Sequence, residues 1–239
     1  MLRLPREIDE DLPQRAPSRS KGTGQPSGNG TETHPTERIN RMKTVVIATN
    51  NAHKAQEISE ALPFPGWEFK TLREMGVVSD PVEDAETFLG NARIKAQAAR
   101  EACGGCAVIA DDSGLEVDAL GGAPGVHSAR YAGEPCDDAR NNAKLLEELE
   151  GVADAERTAR FVCTLVFLDE DGAEVTARGT IEGRIGHEER GEHGFGYDPL
   201  FYPDELDGLS LAEVPGEDKN AISHRGNALR ELKAKLDAR

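Results

Sequence analysis

Residues 158–184 read TARFVCTLVFLDEDGAEVTARGTIEGR. Two alternating stretches, 158–168 and 174–184, flank Asp171-Gly172, and Asp-Gly supplies the backbone freedom of a tight reversal. An antiparallel hairpin is therefore expected in the second half of the chain. Before it, KTVVIA (43–48) and CAVIA (106–110) are short apolar runs typical of buried strands, and residues 67–72 predict another. Helical segments separate them. Asn51 is a possible N-cap for a helix over 52–62 that Pro63 and Pro65 stop. Residues 87–102 place Phe88, Leu89, Ala92, Ile94, Ala96 and Ala99 at helical spacing. Strands that alternate with helices, followed by a hairpin, predict an α/β fold with a mixed central sheet.

Outward from this frame, Asp111-Asp112-Ser113-Gly114 reads as a polar turn after the CAVIA strand, followed by alternating Leu115, Val117 and Ala119. GGAPG (121–125) predicts a tight loop, 137–149 a helix, GEHGFGYD (191–198) a Gly-rich loop, and 223–236 an amphipathic helix carrying Ala228, Leu229, Leu232 and Leu236. No internal repeat is present.

The 239 residues hold 28 Lys and Arg against 44 Asp and Glu, a net charge of −16. That balance argues against an electrostatic nucleic-acid binder, which needs clustered cations. No apolar run approaches the roughly 20 residues of a membrane span, and no leader-like apolar segment opens the chain, so a cytoplasmic protein is expected. Residues 1–42 differ from the rest: seven basic against six acidic residues, with a Pro-, Gly- and Ser-rich stretch. They are expected to form a disordered extension, with the folded domain over 43–239 starting after Met42. The domain itself holds 21 basic and 38 acidic residues. Adaptation to a salty cytoplasm would explain that surface, and so would a merely acidic protein.

Three segments carry candidate chemistry. Thr49, Asn50, Asn51, Ala52, His53 and Lys54 lie at a strand–helix junction, where backbone N–H groups and a cation can cradle phosphate; the same Asn and Thr can simply cap the helix. The Walker pattern is absent. Asp111, Asp112 and Ser113 follow a strand, at the edge where open α/β sheets bind ligands, and carboxylates there can hold Mg²⁺ or orient water. Glu83, Asp84 and Glu86 could add another carboxylate. Phe195, Gly196, Tyr197 and Asp198 offer an aromatic face between glycines. Lys219, His224 and Arg225 gather cations near the start of the last helix, where they oppose its dipole. The Cys103–Cys106 pair reads as a helix stop around Gly104-Gly105 rather than half of a zinc site. His53, His127, His187 and His193 have no ligand spacing.

Five segments in order, ATNNAHKAQEI (48–58), ETFLGNARIKA (86–96), ADDSGLEVDALGGAPGVHSARYAG (110–133), GFGYDPLF (194–201) and KNAISHRGNAL (219–229), resemble the inosine triphosphate pyrophosphatase family. The resemblance implies two lobes around a nucleotide cleft, usually in a homodimer. It implies Mg²⁺-dependent cleavage of ITP, dITP or XTP between the α and β phosphates, which keeps deaminated purines out of nucleic acids. By position, residues 49–54 would hold the triphosphate. Glu83 and Asp112 would bind the metal, with Asp112 activating water, and Ser113 would touch substrate. Phe195 to Asp198 would enclose the base, with Phe195 stacking on it. Lys219, His224 and Arg225 would complete the nucleotide site, the last two near the 6-keto edge. The sequence departs from the family at Asn50, often Gly, and at Gly90, often Glu, which puts metal affinity in question; Glu86 would be the alternative ligand to Glu83. Rival readings are a pyrophosphatase for other modified nucleotides and a non-enzymatic nucleotide-binding module.

Overall fold

The hairpin forms as the alternation requires. β4 (Thr158–Leu168) and β5 (Glu174–Ile185) are antiparallel, with Phe161 opposite Ile181 and Leu165 opposite Ala177. Gly172 takes a φ of +85° in the connection, a left-handed backbone that glycine adopts without strain. The protein is described from a computed structural model covering residues 42–60 and 64–239. The expected disordered extension falls on residues outside this range, apart from exposed Met42, and so does the expected end of the first helix at 61–63.

The hairpin belongs to a six-stranded sheet. β1 (Lys43–Ile47) pairs in parallel with both β2 (Trp67–Thr71) and β3 (Ala107–Val117). β3 then pairs antiparallel with β4, and β5 pairs with the short β6 (Phe201–Pro203), giving the order β2-β1-β3-β4-β5-β6. The mixed α/β class is as expected. Its parallel half joins strands through α1 (Ala52–Glu60) and α2 (Phe88–Ala102), and its antiparallel half is built on the hairpin.

Strand alternation sorts the core into layers. Val45, Ile47, Ala107 and Ile109 pack against Ala55 and Ile58 of α1 and Ala228, Leu229 and Leu232 of α5 (His224–Asp237). Val46, Ala48, Val108 and Ala110 face the other way, onto Ala92, Ala96 and Ala99 of α2. A further cluster lies along the long strands. Leu115, Val117, Phe161, Ile181 and Ile185 pack there with Leu145 of α3 (Asp138–Glu148), Leu149 and Phe201. The polar run 111–114 sits between Ile109 of one cluster and Leu115 of the other.

The expected turn at 111–114 is corrected: β3 continues through it, with Asp112 opposite Thr164 and Ser113 opposite Cys163. Tertiary pairing overrides the turn preference because β4 offers a full ladder and cations from helices meet both carboxylates. β6 and the short α4 (Gly216–Ile222) have no apolar periodicity and were not expected. Thr87, Asp137 and Ser223 cap α2, α3 and α5, each accepting a backbone N–H three residues on. Cys103 and Cys106 form a disulfide across the Gly104-Gly105 turn, with Cα atoms 5.8 Å apart, so the helix stop is also a covalent link from α2 to β3. No helix among the described residues is long and apolar enough to cross a membrane.

Candidate active site

β3 presents its two aspartates to opposite faces. Asp111 points to the α1/α5 side, fully buried, where Lys54 Nζ lies 3.2 Å and Arg225 Nη2 3.1 Å from its Oδ2. Burial alone would push its carboxyl up, but the Lys54 and Arg225 charges outweigh that and hold it well below the usual carboxylate range. Asp112 points to the α2 side. Its Oδ1 meets Lys95 Nζ at 2.8 Å, and Asn91 Nδ2 donates to its Oδ2 at 3.4 Å. Burial pushes the Asp112 carboxyl up. Lys95 opposes the shift without cancelling it, and the Asp111 charge adds to it. Neighbouring carboxylates in one strand are thus set in opposite directions.

Lys95 Nζ also lies 2.9 Å from Glu83 Oε2, so one ammonium bridges Glu83 and Asp112. Those carboxylates converge on a point already suited to a cation. Among the described residues no three His, Cys, Asp or Glu side chains converge as a complete metal cage. Two carboxylates open to a cavity match Mg²⁺, which keeps waters and takes phosphate oxygens. Glu86 lies elsewhere, on another surface groove, so Glu83 is the nearer partner of Asp112. The reach of Glu83 depends on Gly90. A Cβ there would stand 2.5 Å from Ala85 Cβ, and Asn91 Oδ1 accepts the Ala85 N–H at 3.0 Å, drawing the 83–85 segment onto α2.

The junction before α1 is capped. Asn51 Oδ1 accepts the N–H groups of His53 (2.9 Å) and Lys54 (3.1 Å), and Thr49 Oγ1 accepts that of Asn51 (3.1 Å). The capping reading is therefore correct for these atoms. Asn50 turns outward and donates to the Ser79 carbonyl at 3.0 Å. Thr49, Asn50, Asn51 and Lys54 still line a cavity of about 230 Å³ with Glu83, Lys95, Asp112, Ser113 and Arg130. Ala52 and His53 do not line it.

A second cavity, of about 120 Å³, adjoins the first through Asn51, Lys54 and Ser113. Phe161 and Phe195 are aromatic walls, and Gly196, Tyr197, Asp198, Lys219, His224 and Arg225 line it too. His224 stacks on Phe161 at 4.9 Å between centroids. Burial, reinforced by the Arg225 charge, lowers the His224 imidazole well below its ordinary value, so the ring is neutral. Among the described residues, His224 Nδ1 and Arg225 Nε are buried without a partner. Both terminal nitrogens of Arg225 are engaged: Nη1 on Glu57, Nη2 on Asp111 and Ser113 Oγ. Tyr197 donates its hydroxyl to the Ser128 carbonyl at 2.8 Å, and Asp198 faces Lys219 at 2.8 Å. The α5 terminus reaches this wall because β5 carries Gly179, where a Cβ would meet the His224 carbonyl oxygen at 2.2 Å.

Sequence reasoning missed Glu57 and Lys95, and it grouped Asp111 with Asp112 without separating their roles. Glu57 joins Lys219 (2.9 Å) and Arg225, so a chain of charges runs Asp198–Lys219–Glu57–Arg225–Asp111–Lys54. Two signals were present. Glu57 stands three residues after Lys54 and Lys95 four after Asn91, spacings that share a helix face.

The Ham1 family model matches residues 45–235, which includes both cavities. A dITP/XTP pyrophosphatase of Desulforamulus reducens is 52% identical over 187 residues, 78% of this chain and 92% of that protein. One from Bacillus subtilis is 46% identical over 197 residues, 82% of this chain and 98% of that protein. The structure of the Staphylococcus aureus Ham1 protein superposes with a TM-score of 0.73 at 42% identity, covering 82% of this chain and 99% of that one. The likeness thus spans nearly the whole described domain in sequence and in fold, and the chain belongs to the Ham1 family.

Proposed function

We propose that this protein is a house-cleaning nucleoside triphosphate pyrophosphohydrolase that converts dITP, ITP and XTP to the monophosphate and pyrophosphate. The observation that carries this is the pair of adjoining cavities. One has Lys54, Lys95 and Arg130 beside Glu83 and Asp112; the other has aromatic walls and buried polar atoms. A triphosphate fits the chemistry of the first and a purine that of the second. The relatives' pyrophosphatase activity agrees.

Glu83 and Asp112 would hold Mg²⁺, which would neutralise phosphate charge and polarise the scissile anhydride. Asp112 accepts a proton from the attacking water, and its raised affinity for protons suits a base. Lys54, Lys95 and Arg130 stabilise charge on the departing pyrophosphate. Thr49, Asn50, Asn51 and Ser113 orient the phosphates. Phe195 stacks on the base, and Gly196, Tyr197 and Asp198 close the loop around it. Lys219 fixes that loop through Asp198. His224 and Arg225 read the purine edge, and their own backbone N–H groups, which open α5 and have no helical acceptor, add donors there. A keto oxygen accepts such bonds and the adenine amino group cannot, so ATP is disfavoured. A homodimer, a cytoplasmic location and assignment of this activity to residues 43–239 complete the reading.

Pyrophosphate release from ITP, XTP, dITP, GTP and ATP, with Mg²⁺ or with EDTA, tests it. Mg²⁺-dependent turnover of the first three is expected, with little from GTP and ATP. Asp112→Asn should lose at least about 100-fold in kcat, the scale of a general base, while still binding ITP; near-normal turnover would refute the assignment.

A further inference from the structure

The run 49–54 was expected to act together on phosphate, but His53 leaves it. Consecutive helical residues diverge by about 100°. Lys54 lines both cavities, whereas His53 lines neither. It lies instead in an outer groove of about 880 Å³, which it shares with Phe195, His193 and Glu60. The His53 and Phe195 rings stack there, 5.4 Å apart and 17° from parallel. Phe195 and Lys219 line both the groove and the 120 Å³ cavity, so Phe195 forms part of the partition between them. His53 lines only the groove, so it meets Phe195 from that side.

The partition stands on a loop that needs support. Gly191, Gly194 and Gly196 around it have φ of +86°, +77° and +62°. Its polar anchors hold backbone atoms: the Phe195 N–H donates to Asp198 (2.9 Å), the Gly196 N–H to Asp138 (2.7 Å), and Asn142 Nδ2 to the Gly196 carbonyl (3.2 Å). None of these fixes the phenyl ring. His53 sits in the first turn of α1, where the Asn51 cap holds its backbone N–H. Lys219 Nζ lies 4.9 Å from the Phe195 ring centroid.

We infer that His53 is a positioning residue for the nucleobase subsite: it backs the Phe195 ring and takes no part in phosphate binding. This rests on the pyrophosphatase reading for the identity of the base. An aromatic stack of this kind corresponds to roughly 2- to 10-fold in affinity.

The test compares two probes by calorimetry. IMP carries the base with one phosphate; inorganic tripolyphosphate carries phosphates without a base. His53→Ala should weaken IMP binding and raise KM for ITP by roughly 2- to 10-fold, with kcat and tripolyphosphate affinity unchanged. His53→Phe, which can stack but offers no imidazole nitrogen, should restore IMP affinity. A fall in tripolyphosphate affinity would make His53 a phosphate ligand and overturn the inference. So would unchanged or tighter IMP binding, the latter meaning that His53 occupies the face the base requires. Failure of the unaltered protein to cleave ITP would instead refute the pyrophosphatase reading, and the IMP comparison would still decide the role of His53.

Discussion

Asp111 and Asp112 differ by one position and face opposite environments because strand side chains alternate. Asp111 is clamped between Lys54 and Arg225 on one side of the sheet, and Asp112 shares Lys95 with Glu83 on the other. Their substitutions should therefore separate. Asp111→Asn leaves buried Arg225 and half-buried Lys54 each short of a partner and should destabilise the fold by about 3–5 kcal/mol in urea unfolding. Asp112→Asn removes a charge that burial already disfavours, so its loss should appear in turnover rather than in stability. His224 supplies a pH dependence. Its imidazole is neutral when folded and takes a proton more readily when unfolded. As pH falls through its unfolded value of about 6.5, the unfolded state binds more protons and stability declines, by up to about 1.4 kcal/mol per pH unit. Melting temperatures between pH 7.5 and 5 should show this decline. His224→Phe, which can keep the stack on Phe161, should flatten it.

At the scale of elements, most of the sheet and helices was legible in the sequence. The hairpin, the capped starts of α2, α3 and α5 and the Gly-Gly end of α2 all follow from local chemistry. The stretch 111–114 was misread because Asp, Ser and Gly favour turns locally, whereas β4 pairing and distant cations decide their conformation. Gly90 shows the same conflict. Helix propensity alone favours Ala there by about 1 kcal/mol. Packing opposes it, since a Cβ would stand 2.5 Å from Ala85. Gly90→Ala should therefore lower the melting temperature and also raise the Mg²⁺ concentration needed for half-maximal turnover, because displacing Ala85 carries Glu83 away from Asp112. A stabilised variant with unaltered Mg²⁺ response would contradict this account.

For the whole molecule, charge is the dominant property. A net charge of −16 repels itself across the surface, and added salt screens that repulsion. The melting temperature should rise between 0.05 and 1 M KCl, since the buried Asp111–Arg225 and Lys219–Asp198 pairs are shielded from bulk ions. The amino-acid sequence by itself determined the order of elements, the helix caps, the acidic surface and the motifs that mark the family, because these depend on neighbours within a few residues. Only the tertiary structure decided which carboxylate meets which cation. Arg225 finds Asp111 across 114 residues and Glu57 across 168. It also decided that His53 parts from Lys54 to stand behind Phe195. Such partners are set by sheet register and helix facing, which no local stretch of the chain encodes.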